Sequence, residues 1–171
     1  WFPWLKDRLE KSGTKVIVPH FPTPEGQSLE TWLAVFDKYK REINEDTILI
    51  GHSLGGLFLL RVLERLVKPV RAAFFVGTPV GVKPIRNYDG DKKFSGSFDF
   101  DWETIKTKAR NFVIFHSDND PYVSIGNGER LVRELGVGLT FVPNAGHFND
   151  TAGYTKFRQL LEGVNKVLVL G

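Results

Sequence analysis

The residue most suited to chemistry in this sequence is Ser53, which lies in the segment Gly-His-Ser-Leu-Gly-Gly from Gly51 to Gly56. This Gly-x-Ser-x-Gly pattern is typical of a tight strand-to-helix turn that exposes a serine hydroxyl, with glycines two residues before and after it to avoid clashes. A glycine-rich turn that only packs closely is the alternative. A phosphate-binding loop would need a Gly-Lys-Ser or Gly-x-Gly-x-x-Gly pattern, which is absent. The pattern therefore predicts Ser53 as a nucleophile.

A serine nucleophile needs a base, and His147 fits that role best. In proteins with this turn, the base follows the acid along the chain and lies on a loop after a strand. His147 stands between a short apolar run and the last helical segment, and Gly146 is expected to give its ring room. His20 precedes the serine, the side chain of His52 should point elsewhere, and His116 suits a capping or packing role.

The acid that orients the base should follow another strand, and Asp118 and Asp120 both do so. We favour Asp120, because the Asp-Pro step promotes a sharp turn that can present the carboxylate. Asp118 is then a turn or capping residue. The alternating His116, Asp118 and Asp120 could also suggest a cation site, but no further acidic ligands follow at EF-hand spacing, so we expect neither a metal nor a cofactor.

Short apolar runs alternate with helix-like segments along the whole chain, which predicts an α/β fold. Parallel strands need helix-length connections, so the pattern indicates a three-layer sandwich with a mainly parallel sheet. The predicted strands are residues 16–18, 47–50, 70–76, 111–115 and 139–142. The predicted helices are residues 1–11, 28 to about 43, 54–67, 101–108, 126–135 and 155–168.

Composition limits the classes of protein that fit. The 171 residues suit one domain, and the net charge of +3 comes from basic and acidic residues that are interleaved, so we expect no nucleic acid partner. The chain has no cysteine, which excludes disulfides and thiolate chemistry and favours the cytoplasm. No stretch is apolar enough for a membrane span, so we expect no membrane partner.

Together these motifs resemble the α/β-hydrolase superfamily, and within it the small serine hydrolases of the retinoblastoma-binding protein nine and YdeN type. The resemblance covers nearly the whole chain and includes the opening Trp-Phe-Pro-Trp-Leu segment. It implies a triad of Ser53, Asp120 and His147, with the Leu54 amide as one oxyanion donor and a minimal cap. Relatives carry a strand and a loop before the opening tryptophan, so we expect residues 1–171 to be one domain that lacks this first strand and oxyanion loop upstream of residue 1.

The resemblance implies a serine hydrolase that cleaves a small ester or amide by acyl transfer, as a carboxylesterase does. We expect Phe98, Trp102 and Phe148 to line the substrate pocket, although the aromatic residues between 78 and 102 could equally cover the edge of the sheet. The alternative function is a protein-binding scaffold that keeps the fold with little turnover, and its protein partner would be unknown. Dehalogenase chemistry usually places Asp at the position of Ser53, and lyase chemistry needs a different oxyanion loop.

Overall fold

The computed structural model describes residues 1–169, which fold around a sheet of four strands. The strands lie in the order in which they occur in the chain: β1 (Ile48–His52), β2 (Val70–Val76), β3 (Ala109–His116) and β4 (Leu139–Phe141). Each neighbouring pair is parallel. The predicted α/β class is confirmed, and the sheet is wholly parallel.

Helices connect the strands and precede and follow the sheet. The α-helices are α1 (Phe2–Lys11), α2 (Leu29–Asp37), α3 (Leu54–Leu63), α4 (Tyr88–Ser95), α5 (Trp102–Lys106), α6 (Ile125–Leu135) and α7 (Arg158–Val169). Short 3₁₀ turns occupy Lys40–Glu42 and Asp150–Ala152. None of the helices described here is long and apolar enough to cross a membrane.

Strand β2 divides the core into two layers because its side chains alternate between the faces of the sheet. Ala73 and Phe75 belong to a cluster with α2, α3, α5 and α6. Phe74 and Val76 belong to a second cluster with α1 and α7. All four side chains are fully buried, so β2 is the centre of the three-layer sandwich.

Several segments differ from the sequence-based expectation, and among them helix α2 ends at Asp37 rather than near residue 43. Residues 16–18, predicted as a strand, pair with no strand, and Ile17 and Val18 are 39% and 50% exposed. Helix α3 stops at Leu63 rather than Val67, shortly before Pro69, whose ring disfavours helical backbone at the preceding residue. Helix α4 was not predicted, because its sequence is mostly polar and has a glycine in its first turn.

The outer edge of β1 has no partner strand among residues 1–169. Its apolar residues 48–50 are only partly buried, although such a run is typical of a strand covered on both faces. A cavity of about 1360 Å³ lies along this edge, and residues 14–19 line it together with β1 and Ser53. The nucleophile candidate thus follows an edge strand that is only partly covered.

Candidate active site

The four strands place their carboxyl ends at one edge of the sheet, where the candidate site is formed. Ser53 follows β1, Gly77 follows β2, Asp120 lies in the loop after β3, and His147 lies in the loop after β4. Parallel neighbouring strands end at the same edge, so residues far apart in sequence meet there.

Ser53 occupies a strained turn between β1 and α3, with φ 53° and ψ −124°. Positive φ is unfavourable for a residue with a side chain and is common at functional sites. A Cβ at Gly51 would lie 2.6 Å from the carbonyl oxygen of Gly55, so Gly51 must be glycine. Gly55 faces open space instead, and the second close approach is at Gly56, where a Cβ would lie 1.9 Å from Thr78 Oγ1. The prediction that Gly55 relieves a clash is therefore wrong.

Leu54 is the first residue of α3, where backbone amides have no acceptor within the helix. The amide of Ser53 already donates to the carbonyl of Val76 at 2.9 Å. The Leu54 amide is thus the first free donor after the serine, and the positive end of the helix dipole favours negative charge beside it.

Asp120 and His147 form a buried pair. His147 Nδ1 lies 2.7 Å from Asp120 Oδ2, and their side chains are 8% and 0% exposed. The other carboxylate oxygen accepts hydrogen bonds from the amides of Tyr122 at 2.8 Å and Val123 at 3.0 Å. With a carboxylate oxygen as its partner, Nδ1 is the nitrogen that donates, which leaves Nε2 to act as a base.

Ser53 and His147 line the same cavity. No hydrogen bond joins Ser53 Oγ to His147 in the described part of the chain, and such contacts are commonly loose before substrate binds.

Asp118 has a different role from Asp120. Its Oδ1 accepts a hydrogen bond from the amide of Asn144 at 2.8 Å, and this bond holds the pKa of Asp118 below its usual value. Of the two aspartates considered as the acid, Asp118 is therefore the one that binds a backbone amide of a neighbouring loop. Within residues 1–169 no group of three His, Cys, Asp or Glu side chains could hold a metal ion.

His52 lies beside His147, where sequence reasoning expected its side chain to point away. Its Nε2 lies 2.7 Å from the carbonyl oxygen of His147, which can only accept, so His52 donates. Burial, followed by the neighbouring His147, lowers the pKa of His52 to about 4. His52 is therefore neutral at neutral pH. Trp1 makes a similar contact, because its Nε1 donates to the carbonyl of Phe148 at 2.7 Å.

Gly77 is a residue of the candidate site that sequence reasoning missed. Its φ is +52°, and a Cβ there would lie 3.3 Å from both Asp120 Oδ2 and His147 Nδ1. Gly146, which was expected to give the imidazole room, instead has φ +53° and faces Ala152, 2.8 Å from where its Cβ would lie. The space for the ring comes from Gly77, and the available signal was a glycine directly after the apolar run of β2.

The three expected pocket residues lie in packed clusters. Phe98 is 5% exposed, and Phe148 is fully buried and stacked on Phe157 at 5.2 Å. Trp102 packs beside Phe100. The described residues that line the cavity with Ser53 include Ile85, Tyr122 and Val123, but none of these three. Their positions do not support a pocket role, because Phe98 and Trp102 pack into the core cluster beneath the cap and Phe148 packs into the cluster on the other face of the sheet.

Asp91 is a second acidic residue at the cavity, on α4. It is 7% exposed, and burial raises its pKa to about 6. Its hydrogen bond from Asn87 Nδ2 is long, at 3.3 Å. Sequence reasoning missed it because α4 was not predicted.

Comparisons with known proteins agree with this geometry. A family profile described as serine hydrolase matches residues 1–166. The hydrolase YdeN of Bacillus subtilis is 30% identical over 156 residues, which are 91% of this chain and 81% of YdeN. The serine hydrolase RBBP9 of Rattus norvegicus is 26% identical over 171 residues, 98% of this chain and 86% of RBBP9.

Solved structures extend the comparison to the fold. The crystal structure of the Bacillus subtilis ydeN gene product superposes with a TM-score of 0.87 at 26% identity, covering 99% of this chain and 90% of that one. A hydrolase of the alpha/beta superfamily from Xanthomonas campestris has a TM-score of 0.65 at 16% identity, covering 96% and 88% of the two chains. The second likeness concerns the fold alone.

Proposed function

Because this chain belongs to the serine hydrolase family, whose profile matches residues 1–166, we propose that it cleaves a small ester or amide by acyl transfer through Ser53. The main support is the buried pair of Asp120 and His147 at the sheet edge where Ser53 lies in its strained turn. Asp120, His147 and the Leu54 amide complete the proposed machinery.

In the first step, Ser53 Oγ attacks the substrate carbonyl carbon while His147 Nε2 takes the hydroxyl proton. The carbonyl oxygen becomes an oxyanion, which the Leu54 amide stabilises by a hydrogen bond. The tetrahedral intermediate then breaks its bond to the alcohol or amine, and His147 returns the proton to that leaving group. The product of this step is an acyl ester on Ser53.

In the second step, water attacks the acyl ester and His147 takes the proton of the water. The second intermediate collapses, the bond to Ser53 Oγ breaks, and His147 gives the proton back to the serine. Asp120 stays ionised throughout, because it holds the Nδ1 proton in place and stabilises the imidazolium as it forms. The acid product then leaves.

The connection between β2 and β3, residues 77–108, supports a small substrate. It contains α4 and α5, and its aromatic residues fold into the core, which leaves little apolar surface for a lid over a long acyl chain. We therefore propose carboxylesterase-like chemistry on short acyl groups.

We also propose that an extended segment pairs with the free edge of β1 and supplies a second oxyanion donor. The unpaired edge and the cavity between it and residues 14–19 support this proposal. Hydrogen exchange tests it: the β1 amides that face away from β2 should exchange fast in residues 1–171 and slowly once an extended segment pairs with this edge.

Labelling with a fluorophosphonate probe tests the proposed function. The protein should be modified at Ser53, and labelling should vanish in Ser53→Ala and His147→Ala. Ser12→Ala and His20→Ala are matched controls outside the site and should label normally. A folded protein that the probe leaves unlabelled, and that cleaves no short-chain ester, would favour the scaffold alternative.

A further inference from the structure

Two loops hold the proposed base in place, and they contact each other through side chains. We call residues 117–120 the acid loop and residues 144–148 the histidine loop. Every residue of the acid loop accepts one hydrogen bond from the histidine loop. These bonds are Asn144 N to Asp118 Oδ1 at 2.8 Å, Ala145 N to Ser117 Oγ at 3.0 Å, Gly146 N to Asn119 Oδ1 at 2.7 Å, and His147 Nδ1 to Asp120 Oδ2 at 2.7 Å.

Asn119 is the centre of this contact. Its Oδ1 accepts from the Gly146 amide and also from Ser117 Oγ, at 2.8 Å. A backbone amide can only donate, so the side-chain atom of Asn119 at this contact must be the oxygen. Ser117 Oγ accepts a hydrogen bond from the Ala145 amide and donates one to Asn119 Oδ1, which accepts from the Gly146 amide. The two side chains thus connect the consecutive amides of Ala145 and Gly146, just before His147.

The other side of His147 is held by the strand that carries the nucleophile. His52 Nε2 donates to the carbonyl oxygen of His147 at 2.7 Å, and the His52 ring packs edge-on against Trp1, with centroids 5.9 Å apart. The backbone is therefore tied to the acid loop immediately before His147 and to β1 immediately after it.

We propose that Asn119 and His52 are positioning residues that fix the backbone of His147 so that Nε2 meets Ser53. Asp120 holds the ring at Nδ1 alone, and about that single bond the ring could swing away from the serine. The preceding Gly146, with φ +53°, resists bending less than other residues. Two backbone anchors remove this freedom. The inference rests on the proposed function.

A displacement of about 1 Å at a reacting group can reduce the rate about 100-fold. We therefore expect Asn119→Leu and His52→Phe each to lower kcat about 10- to 100-fold on a short-chain nitrophenyl ester. KM should change less than about twofold, because these residues act on the base and not on substrate binding.

Conservative variants separate positioning from loss of folding. Asn119→Asp keeps an acceptor oxygen and His52→Gln keeps a donor, so both should retain kcat within a few-fold of the wild type. Asn111→Leu is the matched control, because Asn111 Nδ2 donates to the carbonyl of Arg71 at 3.1 Å near the opposite end of β3. It removes one hydrogen bond between an asparagine side chain and the backbone, although with the asparagine as donor, far from His147, and it should leave kcat unchanged. Asn119→Ala replaces Asn119→Leu if leucine prevents folding.

A second readout does not depend on turnover. The proton on His147 Nδ1 should give a far-downfield NMR signal in the wild type, and this signal should broaden or shift in Asn119→Leu but not in Asn111→Leu. A wild-type protein that neither labels nor cleaves esters contradicts the proposed function. A wild type that is active, with Asn119→Leu and His52→Phe equally active or with no rescue by the conservative variants, overturns the positioning roles.

Discussion

Asp120 and His147 lie on loops that contact each other directly, whereas Ser53 follows a strand whose outer edge has no partner among residues 1–169. We call the acid and histidine loops the histidine half of the site, and β1 with Ser53 and the start of α3 the serine half. In the histidine half, the Asp120 carboxylate has three donors. In the serine half, the strand faces a cavity of about 1360 Å³.

This difference shows where each half obtains its geometry. The histidine half is held by local polar contacts between loops, so single side chains there should matter for rate. The serine half keeps Ser53 in a strained turn with one neighbouring strand beside it, and because strain persists only where the surroundings enforce it, the precision of this half depends on what packs against β1. The two halves meet through His52, which is the last residue of β1 and donates a hydrogen bond to the carbonyl of His147.

The largest effect is expected from replacing Asp120, one of the two carboxylates of the histidine half. Asp120→Asn should lower kcat about 10⁴-fold, because an amide cannot hold the Nδ1 proton and stabilise the imidazolium. Asp118→Asn should lower kcat by about tenfold or less, since it weakens only one loop contact. Steady-state kinetics with circular dichroism as the check on folding compares them. Equal losses in the two variants would show that Asp120 acts only as a loop residue.

Filling the space beside Asp120 and His147 should have the next largest effect. In Gly77→Ala, the new Cβ would meet Asp120 and His147 at 3.3 Å, so we expect kcat to fall about 100-fold. The positive φ should also cost about 1–2 kcal/mol of stability. Gly136→Ala is the control, because its φ is +70° and nothing lies within 4 Å of its Cβ position. It should lose similar stability and keep its kcat. If Gly77→Ala has the kcat of the wild type, Gly77 is not what provides the space for the His147 ring.

Sequence reasoning predicted the architecture well where apolar runs were strong, and the reason is visible in β2. Its predicted bounds, Val70–Val76, are those of the structure, because every residue but one is buried and the run is continuous. Ser53, Asp120 and His147 stay predictions as catalytic residues, yet the strands alone were enough to place them at one edge. The roles of Gly77 and His52 could not be read from the sequence, because each depends on the approach of a loop about 70 to 95 residues away.

The Asp91 carboxyl group lines the cavity that the serine half faces, and its charge there depends on pH. Its pKa is raised from 3.8 to about 6, so between these values the folded protein holds a proton that the unfolded chain releases. The stability this gives is complete below pH 4 and is lost as the pH rises through 6. Asp91→Asn should therefore be about 1–3 kcal/mol more stable than the wild type above pH 6, with no difference near pH 4.

Urea unfolding between pH 4 and pH 8 measures this difference. Asp89→Asn, on the exposed side of the same helix, is the matched control and should change stability by less than about 0.5 kcal/mol. If Asp91→Asn is no more stable than the wild type at pH 8, the Asp91 carboxylate has a compensating partner in solution.

The smallest effect is expected beside the free edge of β1. Ile17 and Val18 are 39% and 50% exposed and belong to no strand, so Ile17→Thr and Val18→Thr should each change the free energy of unfolding by less than about 0.5 kcal/mol. Val76→Thr, at a fully buried position of β2, should cost several times more. A loss above about 1.5 kcal/mol in Val18→Thr would mean that this segment is covered in solution, and the serine half would then be as closely packed as the histidine half.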